Sequence, residues 1–151
     1  MKAVLQRVTS SSVKVDGEIK GEIGLGFNVL VCVMNGDDKS DADILAAKIS
    51  KLRVFEDPEG KMNLDIHDVD GEILAISQFT LGADLKKGNR PSFFNSASPD
   101  YANEIYEYFC SQLQANGVRK VEKGVFGADM KVEIHNDGPV TIVMDTEIWK
   151  K

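Results

Sequence analysis

The sequence predicts an α+β domain in which a curved, barrel-like mixed β-sheet carries two main helices packed on it. Three observations lead there. Segments with a period-2 apolar pattern recur along the chain, at residues 2–9, 12–16, 18–23, 131–135 and 140–145. One apolar run, residues 27–34, reads as a strand covered on both faces, and only two stretches have helical periodicity. Hydrophobic residues make up 42% of the 151, enough for a substantial core, and no linker, repeat or low-complexity tract interrupts them. Residues 1–151 are therefore read as a single domain of layered strands and helices.

The elements follow in order. Residues 2–9 and 12–16 have strand character, with Ser10-Ser11-Ser12 between them, and Asp16-Gly17 suits a hairpin turn into Glu18–Ile23. A helix should follow Asn35-Gly36-Asp37-Asp38, with Ser40-Asp41-Ala42-Asp43 as its capping box and Leu45, Ile49 and Leu52 as its apolar face. Asp57-Pro58-Glu59-Gly60 has the residues of a type I turn. A second helix is capped by Ser98, admits Pro99 at its first position and closes at Gly117 in a left-handed conformation. Its stripe of Ala102, Ile105, Tyr106, Phe109 and Leu113 is a packing face. Two alternating strands end the chain, and Asn136-Asp137-Gly138-Pro139 between them reads locally as a hairpin connection with a trans proline.

Composition narrows the function. The net charge of −6 and pI near 4.9 argue against broad, nonspecific nucleic-acid binding. They leave room for a local basic patch, and Lys86-Lys87-Gly88-Asn89-Arg90 is the candidate; on charge alone it is equally a solvated loop. No apolar run reaches the roughly 20 residues that span a bilayer. Gln6 and Arg7 fall where a signal peptide stays apolar, so a cytoplasmic protein is expected. Cys32 and Cys110 belong to no CxxC pair and read as buried free thiols.

Several motifs fail on inspection. Gly21-Glu22-Ile23-Gly24-Leu25-Gly26 has the glycines of a phosphate loop but precedes a strand, so it is a turn. His67 and His135 are the only histidines, without an HxxxH or a cysteine partner, so neither a metal nor another cofactor is expected. A hydrolase triad would need Ser77 or Thr80 as nucleophile and His135 as base, and no GxSxG elbow is present.

Five segments carry a resemblance. They are Gln6-Arg7-Val8, Ser77-Gln78-Phe79-Thr80-Leu81, Lys87-Gly88-Asn89-Arg90-Pro91-Ser92-Phe93, Gly124-Val125-Phe126-Gly127-Ala128-Asp129-Met130 and Asn136-Asp137-Gly138-Pro139-Val140-Thr141. In this order, over most of the chain, they resemble the D-aminoacyl-tRNA deacylases (the D-tyrosyl-tRNA deacylase family). One departure is Gly82-Ala83, where many relatives carry a bulkier or aromatic residue first; it bears on local pocket shape.

The resemblance implies a metal-free homodimeric hydrolase. Its substrates would be the esters of D-aminoacyl-tRNA and of glycyl-tRNA, including glycine mischarged on tRNA(Ala), and it would spare L-aminoacyl-tRNA. Ser77, Gln78, Phe79 and Thr80 would form the catalytic segment, with backbone N–H groups near Phe79 and Thr80 stabilising the oxyanion. Gly138 and Pro139, as a cis pair inserted into the partner subunit's site, would exclude L side chains by occupying their space. Arg7 would anchor that loop and border the substrate, although a solvated strand residue is the plain alternative. Phe126, Gly127, Ala128 and Met130 would form a wall for the terminal adenosine, or serve packing alone. Lys86, Lys87 and Arg90 would meet the tRNA. Two rivals stay open: a small-molecule esterase using Ser77 or Thr80, and a module that binds a tRNA end without chemistry.

Overall fold

A 14-residue strand runs through the centre of the sheet in this computed structural model, which describes residues 1–150. In chain order the strands are β1 (Lys2–Val15), β2 (Glu18–Ile23), β3 (Gly26–Cys32), β4 (Phe55–Glu56), β5 (Met62–Leu64), β6 (Glu72–Ser77), β7 (Val121–Lys123) and β8 (Lys131–Asp145). The main helices are α1 (Lys39–Lys51), between β3 and β4, and α2 (Pro99–Ala115), between β6 and β7. The sheet order is β2-β1-β3-β6-β7, with β8 antiparallel along β1; β4 and β5 form a separate ribbon. β3, β6 and β7 are mutually parallel, and each parallel step needs a long crossover, which α1 and α2 supply. The far edges nearly meet. A Cβ on Gly21 of β2 would lie 2.8 Å from the Lys123 carbonyl oxygen of β7, so glycine permits the approach.

This is the predicted α+β barrel-like class. β3 is covered on both faces, as its sequence implies. Phe27, Val29 and Val31 pack in one core with Leu45, Ile49, Ile105 and Phe109 of the helices. A smaller cluster of Val8, Val13, Ile23, Leu74 and Ile76 forms on its own. The Asp16-Gly17 turn has φ of 51° and 79°, the mirror-image geometry that matches strand twist. All five stripe residues of α2 are buried, and Gly117 stands at φ 91°.

Three expectations need correction. The serines at 10–12 do not break the first strand. Ser11 is buried, accepts from Asn28 Nδ2 at 3.1 Å and donates to the Glu133 carbonyl at 2.6 Å, so its polar demand is met inside the sheet. What remains of the break is a bulge: Val8 pairs with Asn136 and Ser10 with His135, leaving Thr9 extra.

The α1 cap lies two residues earlier than predicted. Asp38 accepts from the Ser40 amide at 2.9 Å and Asp41 returns to the Asp38 amide at 2.9 Å, so the box is Asp38–Asp41. The final hairpin is a single strand. Both halves of β8 pair with β1, and residues 137–140 form a bulge rather than a turn. Alternation on each side of a glycine looks the same in a hairpin and in a bulged strand, which is why the pattern misled.

The start of α1 is tied to the chain's ends. The Met1 ammonium lies 2.7 Å from Asp37, Thr146 donates to Asp41 at 2.7 Å, and Lys150 reaches Asp41 at 2.9 Å. Burial of Asp41 opposes ionisation, but the bonds from Lys150, the Asp38 amide and Thr146 outweigh it and hold the carboxyl at about 2, below its ordinary 3.8. A carboxyl depressed on folding stabilises above its unfolded pKa and loses that contribution as pH falls through the folded one. Asp41→Asn should therefore lower unfolding free energy by about 2 kcal/mol at neutral pH. The gap between variant and wild type, read from urea midpoints, should close between about pH 4 and about pH 2. A gap that persists at the acid end would contradict the ion-pair origin.

Candidate active site

Ser77 is the last residue of β6, and the Gln78 amide extends the parallel ladder by donating to Val31 at 2.8 Å. The chain then leaves the sheet in a single 3-10 turn, Phe79–Gly82. It opens with a bond from Leu81 N to the Gln78 carbonyl (3.2 Å) and is capped at its end by one from Ala83 N to the Thr80 carbonyl (3.1 Å). The Phe79 and Thr80 amides precede those bonds, as the opening N–H groups of any helical turn do, and neither has a hydrogen-bond partner among the described residues. Phe79 is 56% exposed, and its ring meets Phe93 edge-on with centroids 4.9 Å apart.

Beside this turn lies a cavity of about 600 Å³. One part of its lining is Ser77, Gln78 and Phe79; another is Phe126, Gly127, Ala128 and Met130, predicted from a segment nearly fifty residues away, together with Asp129. Gly127 at φ 78° and a bond from the Ala128 amide to the Val125 carbonyl (3.1 Å) form the tight turn of the second wall. Behind it, Phe126 stands 6.3 Å from the Tyr106 ring, and Tyr106 donates to the Ala75 carbonyl at 2.7 Å. Burial pushes that phenol far above its ordinary pKa, so it is a fixed donor.

Sequence reasoning missed the third wall, formed by Ser96, Ser98, Pro99 and Ala102 at the start of α2. Ser98 does occupy the N-cap position, yet its side chain makes no capping bond. A Ser-Pro helix start was read for local structure alone, and its proximity to Phe93 was the available signal.

No histidine lines the cavity. His135 is exposed on β8 beside Glu133 at 3.8 Å, and Thr80 Oγ1 accepts from Gln78 Nε2 at 2.5 Å. Cys32 lies beneath the turn with its thiol 3.5 Å from the Phe79 carbonyl oxygen, and burial raises its pKa, so it stays protonated. Cys110 is also free and buried, and burial pushes it up to about 12. Among the described residues, three carboxylates converge, Asp37, Asp41 and Glu147, and these are already engaged by Met1 and Lys150.

Gly138–Pro139 is a cis peptide on the surface, outside this chain's own cavity. Gln6 pairs with Thr141 and Val8 with Asn136, so four residues, 137–140, stand opposite Arg7 alone. Arg7 is 5% exposed, not a solvated strand residue. Its Nε donates to the Asp137 carbonyl at 3.0 Å and its Nη1 to the Val54 carbonyl at 2.6 Å. With Phe55, Glu56 and Asp137 it borders a separate cavity of about 130 Å³. Lys86, Lys87 and Arg90 sit on an exposed loop closed by paired bonds between Asp84 and Ser92; the Lys86 amide donates to Asp84 at 2.9 Å, and the three charged side chains form no ion pair among the described residues.

The family model described as D-Tyr-tRNA(Tyr) deacylase matches residues 4–145. This chain belongs to that family. A D-aminoacyl-tRNA deacylase of Ruegeria pomeroyi is 57% identical over 96% of this chain and 99% of its own length. One from Clostridium botulinum is 53% identical over 97% of each. Among solved structures, a c-Myc DNA Unwinding Element Binding Protein superposes with a TM-score of 0.90 at 42% identity, covering 96% of this chain and 98% of that one. A probable eukaryotic D-amino acid tRNA deacylase shares the fold at TM-score 0.79 and 16% identity, over 95% and 97% of the two chains. The predicted enzyme class, an ester hydrolase of the deacylase family, stands on these relationships. In this deacylase-family chain no helix among the described residues is long and apolar enough to cross a membrane.

Arg7 offers a direct check on the loop's support. Arg7→Met should lower stability by roughly 2–4 kcal/mol in chemical denaturation, because two carbonyls lose their donor. Arg7→Lys should recover little, since one ammonium cannot reproduce a planar fork aimed at two acceptors. A stable methionine variant would show that the loop is held by its strand pairing alone.

Proposed function

We propose that this chain hydrolyses the ester between a D-amino acid, or glycine, and the terminal ribose of tRNA, including glycine mischarged on tRNA(Ala), while sparing L-aminoacyl-tRNA. One observation carries the reading: two adjacent amides, Phe79 and Thr80, are unpaired among the described residues, in a turn whose Phe79 lines a cavity that no histidine lines. Such a pair can receive the oxygen of a tetrahedral intermediate without any titratable side chain. Water adds to the ester carbonyl, the carbon–oxygen bond to the ribose breaks, and the ribose oxygen leaves as a hydroxyl. Phe126, Ala128 and Met130 offer apolar surface against which the terminal adenosine would pack, and Lys86, Lys87 and Arg90 would meet the RNA phosphates. A cytoplasmic setting fits two free thiols and a tRNA substrate.

Rejection of L substrates is assigned to Gly138 and Pro139 acting in the partner subunit of a homodimer. The loop is exposed and held in place by Arg7, yet borders no part of its own chain's cavity. β8 pairs on one edge only and leaves Val143 77% exposed, an edge that monomers usually protect.

Pure protein should release D-tyrosine from D-tyrosyl-tRNA and leave L-tyrosyl-tRNA intact, as followed by ester loss. Ser77→Ala and Thr80→Ala should each keep substantial activity, whereas Thr80→Pro, which deletes one N–H, should lose roughly 10²–10³-fold in kcat. Equal rates on both stereoisomers would refute the assignment. Abolished activity in a folded alanine variant would favour a covalent esterase, and binding without turnover a passive module.

Mixed dimers test the division of labour. A Cβ on Gly138, at φ 130°, would come within 3.1 Å of Arg7 Nη2 and 3.0 Å of Val140, so Gly138→Ala damages the loop. Pairing Gly138→Ala with Thr80→Pro should restore one working site per dimer. An inactive mixture, with subunit exchange verified, would place the loop's action within its own chain.

A further inference from the structure

We infer that Ser96 is a positioning residue for hydrolysis, aiming the Thr80 amide by holding the far end of the same peptide group. The inference rests on the function proposed above, in which that amide receives the oxyanion. The Phe79 carbonyl and the Thr80 N–H belong to one planar trans peptide, so they point in opposite directions. Whatever holds the oxygen therefore orients the hydrogen.

Ser96 Oγ donates to the Phe79 carbonyl at 3.0 Å, and the Cys32 thiol lies 3.5 Å from the same oxygen. A hydrogen bond into the carbonyl also polarises the peptide and strengthens its N–H as a donor. Ser96 is itself fixed. Its amide donates to the Phe93 carbonyl at 3.0 Å, its backbone bridges to Met34, and its hydroxyl lies 3.9 Å from Cys32 Sγ.

Gly82 makes the arrangement possible. A Cβ there would stand 2.3 Å from Ser96 Oγ and 3.0 Å from Met34 Sδ, so the hydroxyl fills the space that a side chain at 82 would take. Gly82 is buried by these residues, and its effect on the site runs through Ser96, not through direct lining of the cavity.

The test compares deacylation of D-tyrosyl-tRNA by wild type, Ser96→Ala and Ser96→Thr. Ser96→Ala should lower kcat about tenfold, with KM within about twofold, a smaller loss than deleting an oxyanion donor outright. Ser96→Thr, which keeps the hydroxyl, should retain most of the wild-type kcat. A second pair separates aiming from packing. Gly82→Ala should lower the thermal midpoint and kcat together, because its methyl displaces the hydroxyl. Adding Ser96→Gly removes the shorter collision, leaving only the flexible Met34 side chain to give way, and should restore most of the midpoint while kcat stays low. Recovery of kcat with the midpoint overturns the inference, as does a Ser96→Ala protein with unchanged kcat. In both of those cases an active wild type leaves the functional reading intact. A wild type that leaves D-tyrosyl-tRNA intact overturns the functional reading and this inference with it.

Discussion

β1 is hydrogen-bonded along both edges, and its ladder to β8 governs the second half of the protein. From Lys2–Asp145 to Gln6–Thr141 the two strands pair residue for residue. The next pair is Val8–Asn136, so the surplus residues of β8 must bow outward at one place. Arg7 is the residue left beneath that bow, and its guanidinium bonds the Asp137 carbonyl on one side and the Val54 carbonyl on the other. The protruding loop and its anchor are thus set by one register shift, and the anchor also ties the loop to Val54, just before β4. A slip by one residue would turn every side chain of β8 to the other face.

The position of the cavity follows from strand direction. β6 and β7 run parallel, so the segments that leave them emerge on the same side of the sheet. One becomes the Phe79–Gly82 turn, and the other becomes the Phe126–Met130 wall. Because α2 joins the two, its N-terminal turn reaches the same side and closes the third wall. Ligand sites outside the carboxyl ends of parallel strands are a general consequence of such connections.

Much of this was legible beforehand because it depends on side-chain type. The α2 stripe, the doubly covered β3 and the Asp16-Gly17 turn follow from periodicity and glycine placement. The two main cavity walls were legible only as a family resemblance, since Ser77–Leu81 alone looks like an ordinary strand end. What escaped depends on pairing between distant segments. Ser11 could be recognised as an in-strand residue only with Asn28 and Glu133 beside it. The bulge at 137–140 needed the register of β1. Ser96 needed Gly82, fourteen residues earlier, to be seen as the vacancy it fills.

A site whose donors are peptide groups is written in the path of the chain more than in the identity of its residues. Apart from proline, a substitution at position 79 or 80 leaves the N–H in place, so much local sequence drift leaves the donor count unchanged. Such donors also neither titrate nor oxidise under ordinary conditions. Their vulnerability lies one layer back, in the contacts that set the angle of a single peptide plane. On the proposed mechanism, the activity therefore depends on a backbone trajectory set by residues that never touch the reacting atoms.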